Sequence, residues 1–391
     1  VNNVPPLDLA RQYKLIGEDV SAAVLGVLAS GRYIGGSHVE TFEQQFGAYV
    51  GVSNCVGCNS GTDALYLALR ALEIGSGDEV ITTPFTFIAT AEVITAVGAT
   101  PVFVDIDAQT FNLDINKLEA AITNKTKAIL PVHLFGQPVD MSAVMGIAQS
   151  HGLAVIEDCA QATGAQWGSS RVGSIGHIGC FSFFPTKNLG ACGDGGAITT
   201  NDPAIAAKVR MLREHGMKAR YYHEETGINS RLDAVQAAIL QIKLRHLDTW
   251  NAQRSSVAKR YQELLGLVPG IVTPQETVGG RSVWNQYTIR IPTNYVPTQE
   301  PGKEGDGKQS TSLPVTYRDQ VRSKLQQLGV SSMVYYPLPL HLQPVYKHLG
   351  YQPGSLPVSE QACYEVLALP MFPEISVVEQ EQVVYGLKDC L

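Results

Sequence analysis

Between residues 60 and 200 the chain alternates two hydrophobic periods, and this pattern limits the fold more tightly than any other feature. GTDALYLALRALEI spaces Leu65, Ala68, Leu69 and Leu72 three and four apart, as a helix with one apolar face requires. The short run EVITT follows, then FIATAEVITAVG with helical spacing, the strand TPVFVDI, the helix DINKLEAAIT, the strand KAILPVH, the helix MSAVMGIAQSHG and the strand LAVIED. Strands that are apolar at nearly every position have no face to offer water, so both faces of their sheet must be covered. The expectation is an α/β class with a mostly parallel sheet between helices, a fold that gathers ligands at the carboxyl ends of its strands.

After residue 200 the pattern turns helical, with DPAIAAKVRMLREHG and then one long helix over RLDAVQAAILQIKLRHLDTWNAQRSSVAKRYQELL. A second domain is expected to begin near Trp250, giving a large domain over 1–250 and a small one over 251–391. In the latter, SVWNQYTIRI and SSMVYYPL read as strands, while YRDQVRSKLQQLG and SVVEQEQVVYGLKDCL read as helices. The stretch NYVPTQEPGKEGDGKQSTSLP is rich in Pro, Gly, Ser and charge and reads as a mobile surface insertion. Gly302, Gly307 and Lys308 within it imitate a phosphate loop, but Gln309 stands where that loop needs Ser or Thr. No G-x-G-x-x-G occurs, since Gly173, Gly176 and Gly179 have the wrong spacing, so a nicotinamide-dependent oxidoreductase lacks its phosphate grip.

The charge balance removes other classes. With 29 basic and 36 acidic residues, a formal net charge of -7 and no basic run, the chain has no footprint for nucleic acid. No apolar stretch is long enough to span a bilayer, and VNNVPPLDLARQY lacks the order of a signal peptide, so the expected setting is the cytoplasm, away from membranes. Seven cysteines, an odd number spread over 391 residues, fit reduced thiols. Cys55 and Cys58 form a C-x-x-C without a second pair, and no metal site is expected.

Chemistry concentrates in a few places. Lys187 sits in CFSFFPTKNLGACGDGG, an apolar strand running into a glycine-rich loop, where an ammonium is costly unless its pKa falls. LAVIED delivers Asp158 to the end of a strand, Gln161 follows three residues on, and Ser182 ends the strand before Lys187. In CNSGTDAL the start of a helix offers free N–H groups, Gly61 for close approach and the Thr62 hydroxyl, a phosphate grip that could equally be a plain N-cap by Ser60 or Thr62. Phe87, in PFTFIAT, is either a core aromatic or a face for a flat ring. A cofactor carrying an aldehyde, a phosphate and a pyridine nitrogen needs a lysine, a helix start with hydroxyls, an acid and an apolar face, and this set meets each need.

GTDAL, TFIAT, VIEDCAQATGA, FSFFPTKNLG, GDGGAI, GINSRLDAVQAA and YYPLPLHLQ, in that order along the chain, resemble the DegT/StrS family of sugar aminotransferases. The resemblance implies fold type I: a large domain with a mostly parallel seven-stranded sheet covered by helices, and a smaller C-terminal α+β domain on which the N-terminal segment packs. It implies pyridoxal 5′-phosphate as cofactor, cycling through its pyridoxamine form. Lys187 would be the Schiff-base lysine, Asp158 the partner of the pyridine nitrogen and Gln161 a contact at the ring's edge, with Gly61, Thr62 and Ser182 on the phosphate. Asn229 would reach the cofactor of a neighbouring subunit, with Arg231 beside it, which implies a homodimer with shared active sites. The implied reaction takes an amino group from L-glutamate to a nucleotide-linked keto sugar, a 3-keto sugar in preference to a 4-keto one, with Tyr33, Arg231, Tyr336 and His341 near the substrate. Relatives that act as dehydratases carry histidine in place of the lysine, so Lys187 favours amine transfer. A cofactor-binding regulator without turnover is the rival of another class. Thr163 stands where many relatives have histidine, and the insertion at 294–314 is a second departure.

Overall fold

The computed structural model describes residues 3–292 and 315–391, so the insertion and its imitation phosphate loop lie outside the described residues. Seven strands form the central sheet: β1 (Asn54–Cys58), β2 (Glu79–Thr82), β3 (Thr100–Phe103), β4 (Thr126–Ile129), β5 (Ala154–Asp158), β6 (Ile178–Ser182) and β7 (Gly196–Thr200). Their order is β1-β7-β6-β5-β4-β2-β3. Only β7 runs against the rest, pairing antiparallel with both β1 and β6. Successive side chains of a strand point to opposite faces, and here both faces are filled: on β5, Val155 enters one apolar cluster and Ile156 another. The continuous apolar runs of the sequence follow from that double covering.

The covering helices are α1 (Leu9–Ser30), α2 (Ser37–Val50), α3 (Gly61–Ala71), α4 (Ala89–Ala96), α5 (Met141–His151), α6 (Pro203–Leu212) and α7 (Ala234–Leu244). DINKLEAAIT makes only one helical turn, Ile115–Leu118, followed by a tighter turn over Glu119–Ala121. The expected single long helix is two: α7 ends at Leu244 and α8 spans Leu247–Leu265. Leu247 packs in the large core with Phe181 and Phe183, whereas Tyr261 and Leu265 pack in a second core. The boundary expected at residue 250 therefore falls inside a helix that belongs to both bodies.

The second body joins β8 (Tyr287–Arg290) antiparallel to β9 (Val366–Leu369), with α9 (Tyr317–Gln327), α10 (Pro357–Glu365) and α11 (Val377–Cys390) around Tyr287, Leu325, Phe372 and Leu387. Val4 is fully buried there and bridges to Val330, and Arg11 pairs with Glu379 at 2.5 Å, so the N-terminal segment packs on this body. SSMVYYPL forms no strand beyond a single bridge, Met333 to Ala368, because Pro337 and Pro339 cannot donate to a ladder. Among the described residues no helix is long and apolar enough to cross a membrane.

Candidate active site

The carboxyl ends of β5 and β6 and the start of α3 converge. Ser60 caps α3 by accepting the Asp63 N–H at 3.1 Å, so the N-cap reading of this turn holds for Ser60. That bond leaves the Gly61 and Thr62 amides, which a helix start cannot satisfy internally. A Cβ at Gly61 would come within 2.6 Å of Ser182 Cβ, so only glycine lets the helix start close on the end of β6. Ser182 Oγ accepts the Phe184 N–H at 3.3 Å and keeps its own O–H to donate. Two free amides and two hydroxyls around a helix N-terminus fit a phosphate.

Asp158 is buried at the end of β5. Its Oδ2 accepts from Thr90 Oγ1 at 2.8 Å and its Oδ1 from the Ala160 N–H at 3.1 Å. Burial pushes its pKa up, opposed by those two bonds and by the charge of Lys187. Thr90 is itself within 3.0 Å of Thr86 Oγ1. The TFIAT motif thus contributes a hydroxyl to the carboxylate, a role that sequence reasoning missed because it attended only to the aromatic residue of that motif.

Lys187 follows β6 in a tight loop, its backbone N–H donating to Phe184 O at 2.9 Å. A Cβ at Gly190 would lie 2.3 Å from Pro185 O, which accounts for the glycine in this turn. The lysine keeps partial exposure, yet burial still pushes its pKa down, opposed by Asp158. Its amine makes no hydrogen bond or ion pair to a described residue. A desolvated amine with no partner among the described residues, within reach of a buried carboxylate's charge, fits an aldehyde-bearing cofactor with a basic ring nitrogen.

The remaining expected residues divide. Phe87 is 56% exposed, available as a ring face rather than used as core; Phe85, two residues earlier, takes the core place. Gln161 accepts the Phe135 N–H at 2.7 Å and donates to Tyr336 Oη at 3.2 Å, so Tyr336 joins the site through it. Burial pushes the Tyr336 pKa up, which keeps its hydroxyl protonated. Asn229 is exposed on the loop before α7, and Arg231 is held by Glu214 at 2.9 Å. Tyr33 is exposed at the end of α1, its hydroxyl on Leu28 O at 3.3 Å. His341 needs correction: it is 1% exposed and its Nε2 lies 3.1 Å from Glu360, whose carboxylate also accepts the Gly354 and Leu356 N–H groups. It stabilises the segment after Tyr336 and is withdrawn from the substrate contacts.

Next to Asp158 lies a cluster with metal-ligating chemistry, His133, Glu157 and Cys159, whose candidate atoms fall within 4.8 Å of one another. His133 Nδ1 accepts the Val139 N–H at 3.1 Å, so Nε2 carries the proton and donates to Glu157 at 3.0 Å. Glu157 also accepts from the backbone of Gly173, Ile175 and Gly176. The histidine and the glutamate are thus spent on each other and on backbone N–H groups.

Comparison with known proteins gives the family. A "Pleiotropic regulatory protein" of Geobacillus stearothermophilus is 49% identical over 384 residues, covering 98% of this chain and 97% of the relative. The UDP-N-acetyl-3-dehydro-alpha-D-glucosamine 3-aminotransferase of Acidithiobacillus ferrooxidans is 44% identical over 95% of this chain and 94% of its own. The crystal structure of DesV from S. venezuelae superposes with a TM-score of 0.91 at 42% identity, over 100% of this chain and 98% of that one. The DegT/DnrJ/EryC1/StrS aminotransferase family model matches residues 14–302 and 308–388, and this chain belongs to that family.

Proposed function

We propose that this enzyme moves an amino group from L-glutamate to C3 of a nucleotide-linked keto sugar, in a homodimer whose active sites are shared between subunits. Aminotransferases of this family act on nucleotide-linked sugars and use pyridoxal 5′-phosphate, which when bound supplies an aldehyde and an electron sink. The observation that carries the assignment of residues is Lys187: a desolvated amine with no partner among the described residues, near enough to buried Asp158 for each to feel the other's charge.

Lys187 Nζ would hold the aldehyde and, once released, would move the donor's α-proton to the cofactor's aldehyde carbon in the first half of the reaction and a proton from that carbon to the sugar carbon in the second. Asp158, which accepts from Thr90 and the Ala160 amide, would face the ring nitrogen and hold a proton on it. Gly61, Thr62 and Ser182 would grip the phosphate, Phe87 would cover one ring face, and Gln161 would set the ring's edge while linking it to Tyr336. Tyr33 and Arg231 remain candidates for the sugar nucleotide. The two bodies, 1–250 and 251–391, bound the cleft. Phe87, Phe184, Tyr33 and Asn229 are all exposed, which suits a second copy that covers the first and lends Asn229 to its phosphate. The cytoplasm suits seven thiols in no disulfide.

Amination at C3 is supported by the name of the A. ferrooxidans relative. The test is to load the enzyme with pyridoxamine phosphate and offer 3-keto and 4-keto nucleotide sugars in turn. A 3-keto sugar should restore the visible absorption; recovery with 4-keto sugars alone would overturn the C3 assignment. The name of the G. stearothermophilus relative favours a second reading, a regulator that binds cofactor without turnover. If that reading held, the yellow holoprotein would keep its visible band after L-glutamate is added.

A further inference from the structure

Asn188, the residue after Lys187, is more than nine-tenths buried, as are Asn251 and Asn285. Asn188 Nδ2 donates to Asn251 Oδ1 at 2.7 Å and to Val283 O at 2.9 Å, and its Oδ1 accepts from Asn285 Nδ2 at 2.7 Å. Asn251 Nδ2 continues to Thr163 O at 3.1 Å. The two backbone carbonyls fix which end of each amide is nitrogen, because a carbonyl can only accept. The chain of amides therefore has one consistent orientation.

Its ends lie in different parts of the molecule. Asn251 is on α8, the helix shared by both bodies, and Asn285 is in the segment just before β8. That segment is laid on the loop behind Gln161: Val283 N–H donates to Gly136 O, Gln286 N–H to Phe135 O, and a Cβ at Gly136 would meet Asn285 N at 2.9 Å. Arg254, also on α8, clamps the carbonyls of Trp284 and Asn285. A lysine that must alternate between holding a cofactor and moving a proton needs a swinging side chain on a still backbone, and misplacement by an ångström is costly to rate.

We propose that Asn188 is a positioning residue for Lys187: through Asn251 and Asn285 it ties the lysine's backbone to the helix and the segment that set the orientation of the small domain. The inference rests on Lys187 being the cofactor lysine, and the experiment separates the two. Borohydride reduction of the holoenzyme followed by peptide mapping identifies the modified lysine; a label elsewhere defeats the assignment of Lys187 and this inference with it. With the label on Lys187, Asn188→Ala should lower kcat by about ten- to a hundred-fold while KM for the donor changes by less than about three-fold. It should also reduce the visible circular dichroism per bound cofactor, which reports how the ring is held. Asn188→Ala and Asn251→Ala should be non-additive in kcat, as members of one network. Asn285→Ala, which removes one bond of the set, should show the same changes at smaller size and carries the test if Asn188→Ala does not fold. Folded variants with lowered thermal stability but unchanged kcat and visible dichroism would overturn the proposal while leaving the role of Lys187 intact.

Discussion

Glu157 and Asp158 are neighbours on one strand, both buried, and they face opposite sides of the sheet. Glu157 meets His133 and three backbone N–H groups. Asp158 has two hydrogen bonds and feels the charge of Lys187 without pairing with it. Two desolvated lysines make the same contrast: Lys243 Nζ donates to Gly190 O at 2.7 Å, while the amine of Lys187 has no partner among the described residues. A buried charge whose bonds are complete holds structure together. One left with capacity, opposite another like it, is poised for a ligand.

The largest test of this contrast is Lys187→Ala, which should lower transamination by about 10³-fold or more and abolish the visible band of the holoenzyme. The unliganded variant should fold. Asp158→Asn comes next, with activity down by about 10²-fold. Because the folded pKa of Asp158 is raised, the folded state binds more protons than the unfolded one from the ordinary value of 3.8 up to the raised value, and ionisation costs stability across that window. The unliganded Asn variant should therefore gain on the wild type as pH rises through it, in urea titrations; an equal gap at all pH values would count against the assignment.

Glu157→Gln should do the reverse of Asp158→Asn, costing about 2 kcal/mol of stability by setting an amide NH₂ against backbone donors, with activity per folded molecule retained. Lys243→Met should cost about 1 kcal/mol, leaving the Gly190 carbonyl unpaired, again with activity retained. The smallest effect is in the pH dependence of unliganded Lys187→Met. The lowered pKa of Lys187 means that the unfolded chain binds more protons up to the ordinary value of 10.5, so wild-type stability should rise relative to the variant as pH climbs toward that value.

Much of the site was legible along the chain. Lys187, Asp158, Ser182 and Gly61 each stand at the end of an apolar run or the start of a helix, and in a parallel α/β sheet those ends share one edge. What stayed hidden was the set of partners. Thr90 lies 68 residues from the carboxylate it serves, and His133 lies 24 from Glu157. His341 looked like a cleft residue because it follows Tyr336 closely, but Glu360 draws it inward. The break between α7 and α8 was equally silent, since Arg245 and His246 are tolerable inside a helix and only the need to serve two cores turns the chain there.

Local periodicity, turn chemistry and residue type determined the strands and most of the helices of the central sheet, and which residues stand at their ends, because these depend on neighbours a few positions away. The tertiary structure alone decided which buried groups are satisfied and which are left waiting. Satisfaction depends on donors and acceptors brought from distant segments, and no spacing along the chain records where they meet.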